Sequence, residues 1–102
     1  MIKELENITN LILTSIKPVA IILFGSAKNF TLNPGSDVDI CVLVESKTGL
    51  RNISKNLYKI LKDFPFPIDI IVENADSFKN KSEFNNLIYK EISEGVVLYG
   101  TK

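Results

Sequence analysis

The 102-residue sequence contains no histidine. Imidazole zinc sites, Ser-His-Asp triads and histidine general bases are therefore excluded, and any chemistry must run on carboxylates, hydroxyls, lysine or a bound metal ion. There is one cysteine, Cys41, so an internal disulfide cannot form and a reducing compartment is expected. Neither sign of charge is in excess: Lys and Arg number 12, Asp and Glu number 12, and the net charge is zero. Binding a nucleic-acid duplex needs concentrated cationic side chains, which this balance does not supply, so direct nucleic-acid binding is not expected. The opening residues, Met1-Ile2-Lys3-Glu4-Leu5-Glu6, lack the apolar segment of a secretion signal. Charges also interrupt every apolar run before it reaches membrane-spanning length. A cytoplasmic location follows as an expectation.

What is present is an ordinary globular balance, 45% hydrophobic and 24% charged, which is too apolar for a disordered segment. The length suits one domain over residues 1–102, with a core but no room for a deep internal pocket, so an active site is expected in a surface cleft. From Ile2 to Ile16, apolar residues at three-and-four spacing predict an amphipathic helix ending before Pro18. Val19 to Phe24 reads as a buried strand closed by Gly25, and Gly25 to Ser36 as a loop in which Ser26 could cap one helical turn. Val38 to Val44 is a second buried strand. Leu50 to Leu61 carries the next helical stripe, stopped by Phe64-Pro65-Phe66-Pro67, and Ile68 to Val72 a third strand. Asn74 to Lys81 reads as a polar stretch. Phe84, Leu87, Ile88 and Ile92 predict a third helix closed by Gly95, and Val96 to Tyr99 a short terminal strand or tail. Strands alternating with helices imply an α/β or α+β sheet covered by helices. The helical stripes leave no spare apolar face that would demand a dimer.

The informative residues are acids inside apolar strands. Asp37 opens the second strand and Asp39 lies within it; at a side-chain period of two, both carboxylates project from one face. Asp69 interrupts the third strand. Clustered buried carboxylates repel unless a cation neutralises them, and hard oxygen donors without histidine favour Mg²⁺ over zinc. Upstream, Gly25 lets the backbone approach a ligand closely, and the amides and hydroxyl from Ser26 onward can donate to phosphate oxygens. Carboxylates that hold Mg²⁺ against a triphosphate suit in-line displacement at phosphorus. Ser36 either shapes the turn or adds a phosphate contact. Cys41 shares the strand face of the acids but reads as a small buried apolar residue, and Lys55, Lys59 and Lys62 as a solvated helix face.

Gly25-Ser26, ten intervening residues and then Asp37-Val38-Asp39 resemble the G-S-x₁₀-D-x-D signature of nucleotidyltransferases, in particular the minimal nucleotidyltransferase group. Glu94-Gly95-Val96-Val97-Leu98-Tyr99 is similar to that group's usual ending. The resemblance spans nearly the whole chain. It implies the nucleotidyltransferase fold, with a mixed sheet of about four strands, and transfer of a nucleoside monophosphate, usually from ATP, with release of pyrophosphate. It further implies that Gly25 and Ser26 hold the triphosphate, with Lys28 as a point charge beside it, that Asp37 and Asp39 bind Mg²⁺, and that Asp69 completes the metal site or activates the acceptor hydroxyl. Proteins of this kind are often antitoxins of HEPN-type ribonuclease toxins, and some adenylylate a toxin tyrosine. One position departs from the pattern: Lys28 stands where the family often carries arginine, and a lysine cannot make a bidentate fork to phosphate. The expected function is thus AMP transfer to a hydroxyl of a HEPN-type partner. The alternatives are nucleotidylation of a small molecule, or a non-catalytic protein that sequesters its partner by contact.

Overall fold

A computed structural model describes residues 2–25, 37–82 and 87–101. In chain order the elements are α1 (Ile2–Ser15), β1 (Ala20–Phe24), β2 (Val38–Val44), α2 (Leu50–Leu61), β3 (Ile68–Asn74), α3 (Ala75–Ser82), α4 (Leu87–Ser93) and β4 (Val96–Gly100). Four strands form a mixed sheet in the order β3-β2-β1-β4. β1 runs antiparallel to both its neighbours, whereas β2 and β3 are parallel. A parallel pair requires a crossover, and α2 supplies it.

The unbroken apolar run of β1 and that of β2 from Ile40 to Val44 follow from their central places, since both their faces are covered. On one face Ile21, Leu23, Val38, Ile40 and Val42 pack under α1 and α2, which contribute Leu5, Ile8, Ile12, Leu57 and Leu61. On the other, Ile22, Phe24, Cys41 and Leu43 pack under Phe78 of α3 and Ile92 of α4. Ile8, Ile12, Ile40 and Ile92 have no exposed surface, and burying side chains of this size stabilises the fold by about 1.5–3 kcal/mol each.

The sequence-predicted strands and the first two helices coincide closely with β1, β2, β3, α1 and α2. β3 runs two residues further than expected, and the polar stretch after it is a helix, α3. Asn74 explains both differences. This buried residue ends β3, and its Oδ1 accepts a hydrogen bond from the Ser77 amide at 3.0 Å, capping α3. Its Nδ2 donates to the carbonyls of Glu45 at 3.0 Å and Ser46 at 3.2 Å. A helix with one deeply buried apolar residue, Phe78, is thereby fastened to the end of β2. The predicted third helix is α4; Phe84, placed in it from the sequence, lies outside the described residues. No helix among the described residues is long and apolar enough to cross a membrane.

Candidate active site

β2 begins where β1 ends and beside the start of β3. The Val38 amide donates to the Pro67 carbonyl at 3.0 Å, and the parallel register then sets Asp39 directly beside Asp69. Antiparallel pairing sets Phe24 opposite Asp39, so Gly25 follows immediately at the same corner. Gly25 has φ of +73°, a conformation that side chains disfavour, and a Cβ there would overlap Asp39 Oδ2. The glycine is required because the carboxylate occupies the space a side chain would take.

Asp39 is half-buried, whereas Asp37, just before β2, and Asp69 are exposed. Burial pushes the Asp39 carboxyl above the ordinary carboxylate range, and the negative charges of Asp69, Asp37 and Glu91 push it the same way, as does a side-chain hydrogen bond with Asp69. The other two acids picked out in the sequence, Asp37 and Asp69, thus both bear on Asp39. Glu91 was outside that set. It precedes the buried Ile92 on α4, and α4 ends against β1 at Gly95, where a Cβ would come within 2.5 Å of the Leu23 carbonyl oxygen. No spacing rule relates Glu91 to Asp39; only the packing of α4 on the sheet does.

Among the described residues, no three acidic or cysteine side chains converge into a ready-made metal cage. Mg²⁺ does not need one, because it commonly takes one or two carboxylates and fills its remaining positions with substrate phosphates and water. Asp39 beside Asp69, two hard oxygen donors in register on neighbouring strands, fits such an ion. Cys41 does not join them: it is buried and its thiol is pushed up to about 12 by burial, so it packs as a small apolar residue, in keeping with the sequence reading. Lys55, Lys59 and Lys62 are exposed, as expected. Ser26, Lys28 and Ser36 lie outside the described residues. Two cavities formed by described residues, each of about 380 Å³, lie elsewhere: one between α1 and β4, the other beside Val19, Leu43 and Phe78.

The opposite end of β3 carries an acid of another kind. Glu73 Oε1 accepts from the Tyr89 hydroxyl at 2.8 Å, and Glu73 Oε2 pairs with Lys81 Nζ at 3.4 Å. Lys81 Nζ also donates to the Tyr89 oxygen at 3.3 Å and sits 5.1 Å from the centre of the ring. This group ties α3 and α4 to β3.

Comparison with known proteins agrees with this geometry. The nucleotidyltransferase domain model matches residues 3–99, and the chain belongs to that family. No curated protein matches it in sequence. Among solved structures, a toxin–antitoxin with AMP-PNP is similar at 21% identity and a TM-score of 0.61, over 96% of this chain and 74% of that one. A mutant MntA–HpeT toxin–antitoxin is similar at 22% identity and a TM-score of 0.58, over 95% and 72%. At such identities the likeness concerns the fold, and the mixed four-stranded sheet is the architecture that the sequence resemblance implied.

Proposed function

We propose that this chain is a Mg²⁺-dependent nucleotidyltransferase that moves AMP from ATP to a hydroxyl of a partner protein, and that the partner is a HEPN-type toxin neutralised by the transfer. One observation carries the reading: the Asp39 carboxylate is seated on Gly25 and lies in register with Asp69. Burying a carboxylate beside a second one is costly, and such an arrangement is characteristic of sites that bind a cation. The family supports the reaction class, and the toxin–antitoxin neighbours, one of them with an ATP analogue, support the nucleotide and the kind of partner.

Asp37 and Asp39 would hold Mg²⁺, which when bound supplies charge neutralisation at the phosphates. Gly25 keeps the backbone corner narrow enough for the triphosphate to approach those carboxylates, while Ser26, Lys28 and Ser36 are assigned to its oxygens. The acceptor hydroxyl oxygen attacks the α-phosphorus, and the bond from that phosphorus to the oxygen bridging to the β-phosphate breaks. Pyrophosphate leaves, and the hydroxyl proton passes to the Asp69 carboxylate. The products are the AMP ester and pyrophosphate.

The test is transfer from ATP labelled at the α-phosphate, with Mg²⁺, into a lysate of the source cell. Wild type should label a discrete protein band, and Asp37→Asn/Asp39→Asn should not. Label appearing only on a small molecule would replace the protein acceptor. No label at all, from a chain that still captures and neutralises its partner, would overturn the reading in favour of inhibition by contact.

A further inference from the structure

Every second residue of a strand shares a face, so Asp39 projects with Cys41 and Leu43, and Asp69 with Ile71, into the layer that α3 and α4 occupy. Ile92 anchors α4 in that layer: it has no exposed surface and belongs to one cluster with Ile22, Phe24 and Cys41. A helix turns about 100° per residue, which sends the residues on either side of Ile92 to opposite flanks. Ser93 lines the cavity with Val19 and Thr101, at the end of the sheet away from the carboxylates, and Tyr89, one turn earlier on that flank, reaches Glu73 at the far end of β3. Glu91 therefore faces the other end, where Phe24 and Asp39 stand opposite each other, and its negative charge is felt by Asp39. Leu87 and Ile88 lie one turn before Glu91 and share its flank.

This flank is open. Leu87 is 84% exposed and Ile88 41%, and Glu91 is exposed. Of the apolar stripe predicted for this helix, Ile92 is buried whereas Leu87 and Ile88 are not, so apolar surface is left over where the sequence pattern implied none. Among the described residues Glu91 makes no ion pair, and it does not converge with Asp39 and Asp69 into a metal cage. Nor does a carboxylate suit a triphosphate, which it repels. The acid is spare for metal and nucleotide alike, and what it favours is a cation brought from outside.

Given the transfer reaction proposed above, on which this reading rests, we propose that this flank of α4 docks the acceptor segment of the partner protein, Leu87 and Ile88 receiving an apolar side chain and Glu91 a lysine or arginine near the hydroxyl that accepts AMP. Charge complementarity selects that occupant, because the charges that act on Asp39 at this corner are all negative. A metal ion answers the carboxylates that ligate it; a cationic acceptor answers Glu91. Apolar contact holds the segment, and the ion pair sets its register so that the hydroxyl comes to the carboxylate corner. An acidic segment gains no such pairing.

The protein that wild type labels in the lysate, identified by its mass and purified unmodified, is titrated as acceptor with wild type, Glu91→Gln, Glu91→Lys and Leu87→Ser, at fixed excess of ATP and Mg²⁺. KM for the acceptor should rise at least about tenfold in Glu91→Gln, further in Glu91→Lys, and about threefold or more in Leu87→Ser, while KM for ATP stays within about twofold of wild type. Added salt should raise the wild-type KM for the acceptor toward that of Glu91→Gln. An unchanged KM for the acceptor in Glu91→Lys and Leu87→Ser would overturn the docking surface and leave the transfer reaction standing. An equal rise in KM for ATP would overturn it too, by placing Glu91 beside the nucleotide. Failure of the transfer reaction itself shows in wild type, as absence of any protein label, and removes the acceptor together with its dock. Should the Glu91 variants not keep the wild-type circular dichroism, Leu87→Ser decides, since the fold leaves Leu87 almost fully exposed: a raised KM for the acceptor supports the docking surface and an unchanged one refutes it.

Discussion

Asp69 and Glu73 lie four residues apart on β3, so their side chains share a face of the sheet. Glu73 receives a tyrosine hydroxyl and a lysine ammonium, and links three elements. Asp69 lies beside another carboxylate, and among the described residues it has no ion pair. The first arrangement is complete within the described residues, whereas in the second a carboxylate faces a carboxylate, the pattern on which the proposed metal site rests. Among the described residues, like charges set side by side at a strand end point toward function, and a charge supplied with its own partners points toward architecture.

The largest expected effect separates the two ends of β3. Asp39→Asn should lower label transfer by at least about a hundredfold, corresponding to several kcal/mol of lost metal-assisted stabilisation, while Glu73→Gln should leave transfer within about twofold. Equal losses in the two variants would break the contrast. Next, Gly25→Ala should destabilise the fold by about 1–2 kcal/mol in denaturant unfolding, because φ is positive and the new Cβ overlaps Asp39 Oδ2. It should also abolish any rise in Tm on adding Mg²⁺.

At the other end, Tyr89→Phe removes the hydrogen bond to Glu73 and should cost about 0.5–1.5 kcal/mol in the same measurement, with no effect on the response to Mg²⁺. The smallest effect sharpens the comparison through pH. With its pKa raised in the fold, Asp39 holds its proton more tightly folded than unfolded, so its contribution favours folding at low pH and is lost as pH rises through the folded value. In the metal-free protein, Asp39→Asn should therefore melt higher than wild type at neutral pH, and the gap should close as pH falls below the ordinary carboxylate range. A constant gap across pH would show that repulsion is not its source.

Asp39 and Asp69 were legible in the sequence because each interrupts an apolar strand, and Gly25 because it closes one. Their adjacency was not, since it depends on β2 and β3 pairing in parallel and on the contact between Val38 and Pro67. Glu91 and α3 were hidden for a related reason. α3 has almost no apolar stripe and is held by Asn74 reaching back to Glu45 and Ser46, a bond that local periodicity cannot register. The exposed edge at β4 likewise follows from strand order, which no run of residues encodes by itself.

The pairing of Leu23 with Val96 has a consequence for how the molecule is made. β1 and β2 can meet early, but β1 gains its other neighbour only from the far end of the described sequence, and contacts so distant along the chain form late and slowly. Until then one side of β1 is bare, and Gly95 has not yet closed on the Leu23 carbonyl beside the carboxylate corner. During synthesis, therefore, the nascent chain should expose an apolar strand until β4 has cleared the ribosome, which makes completion of the carboxylate corner a late event in its life.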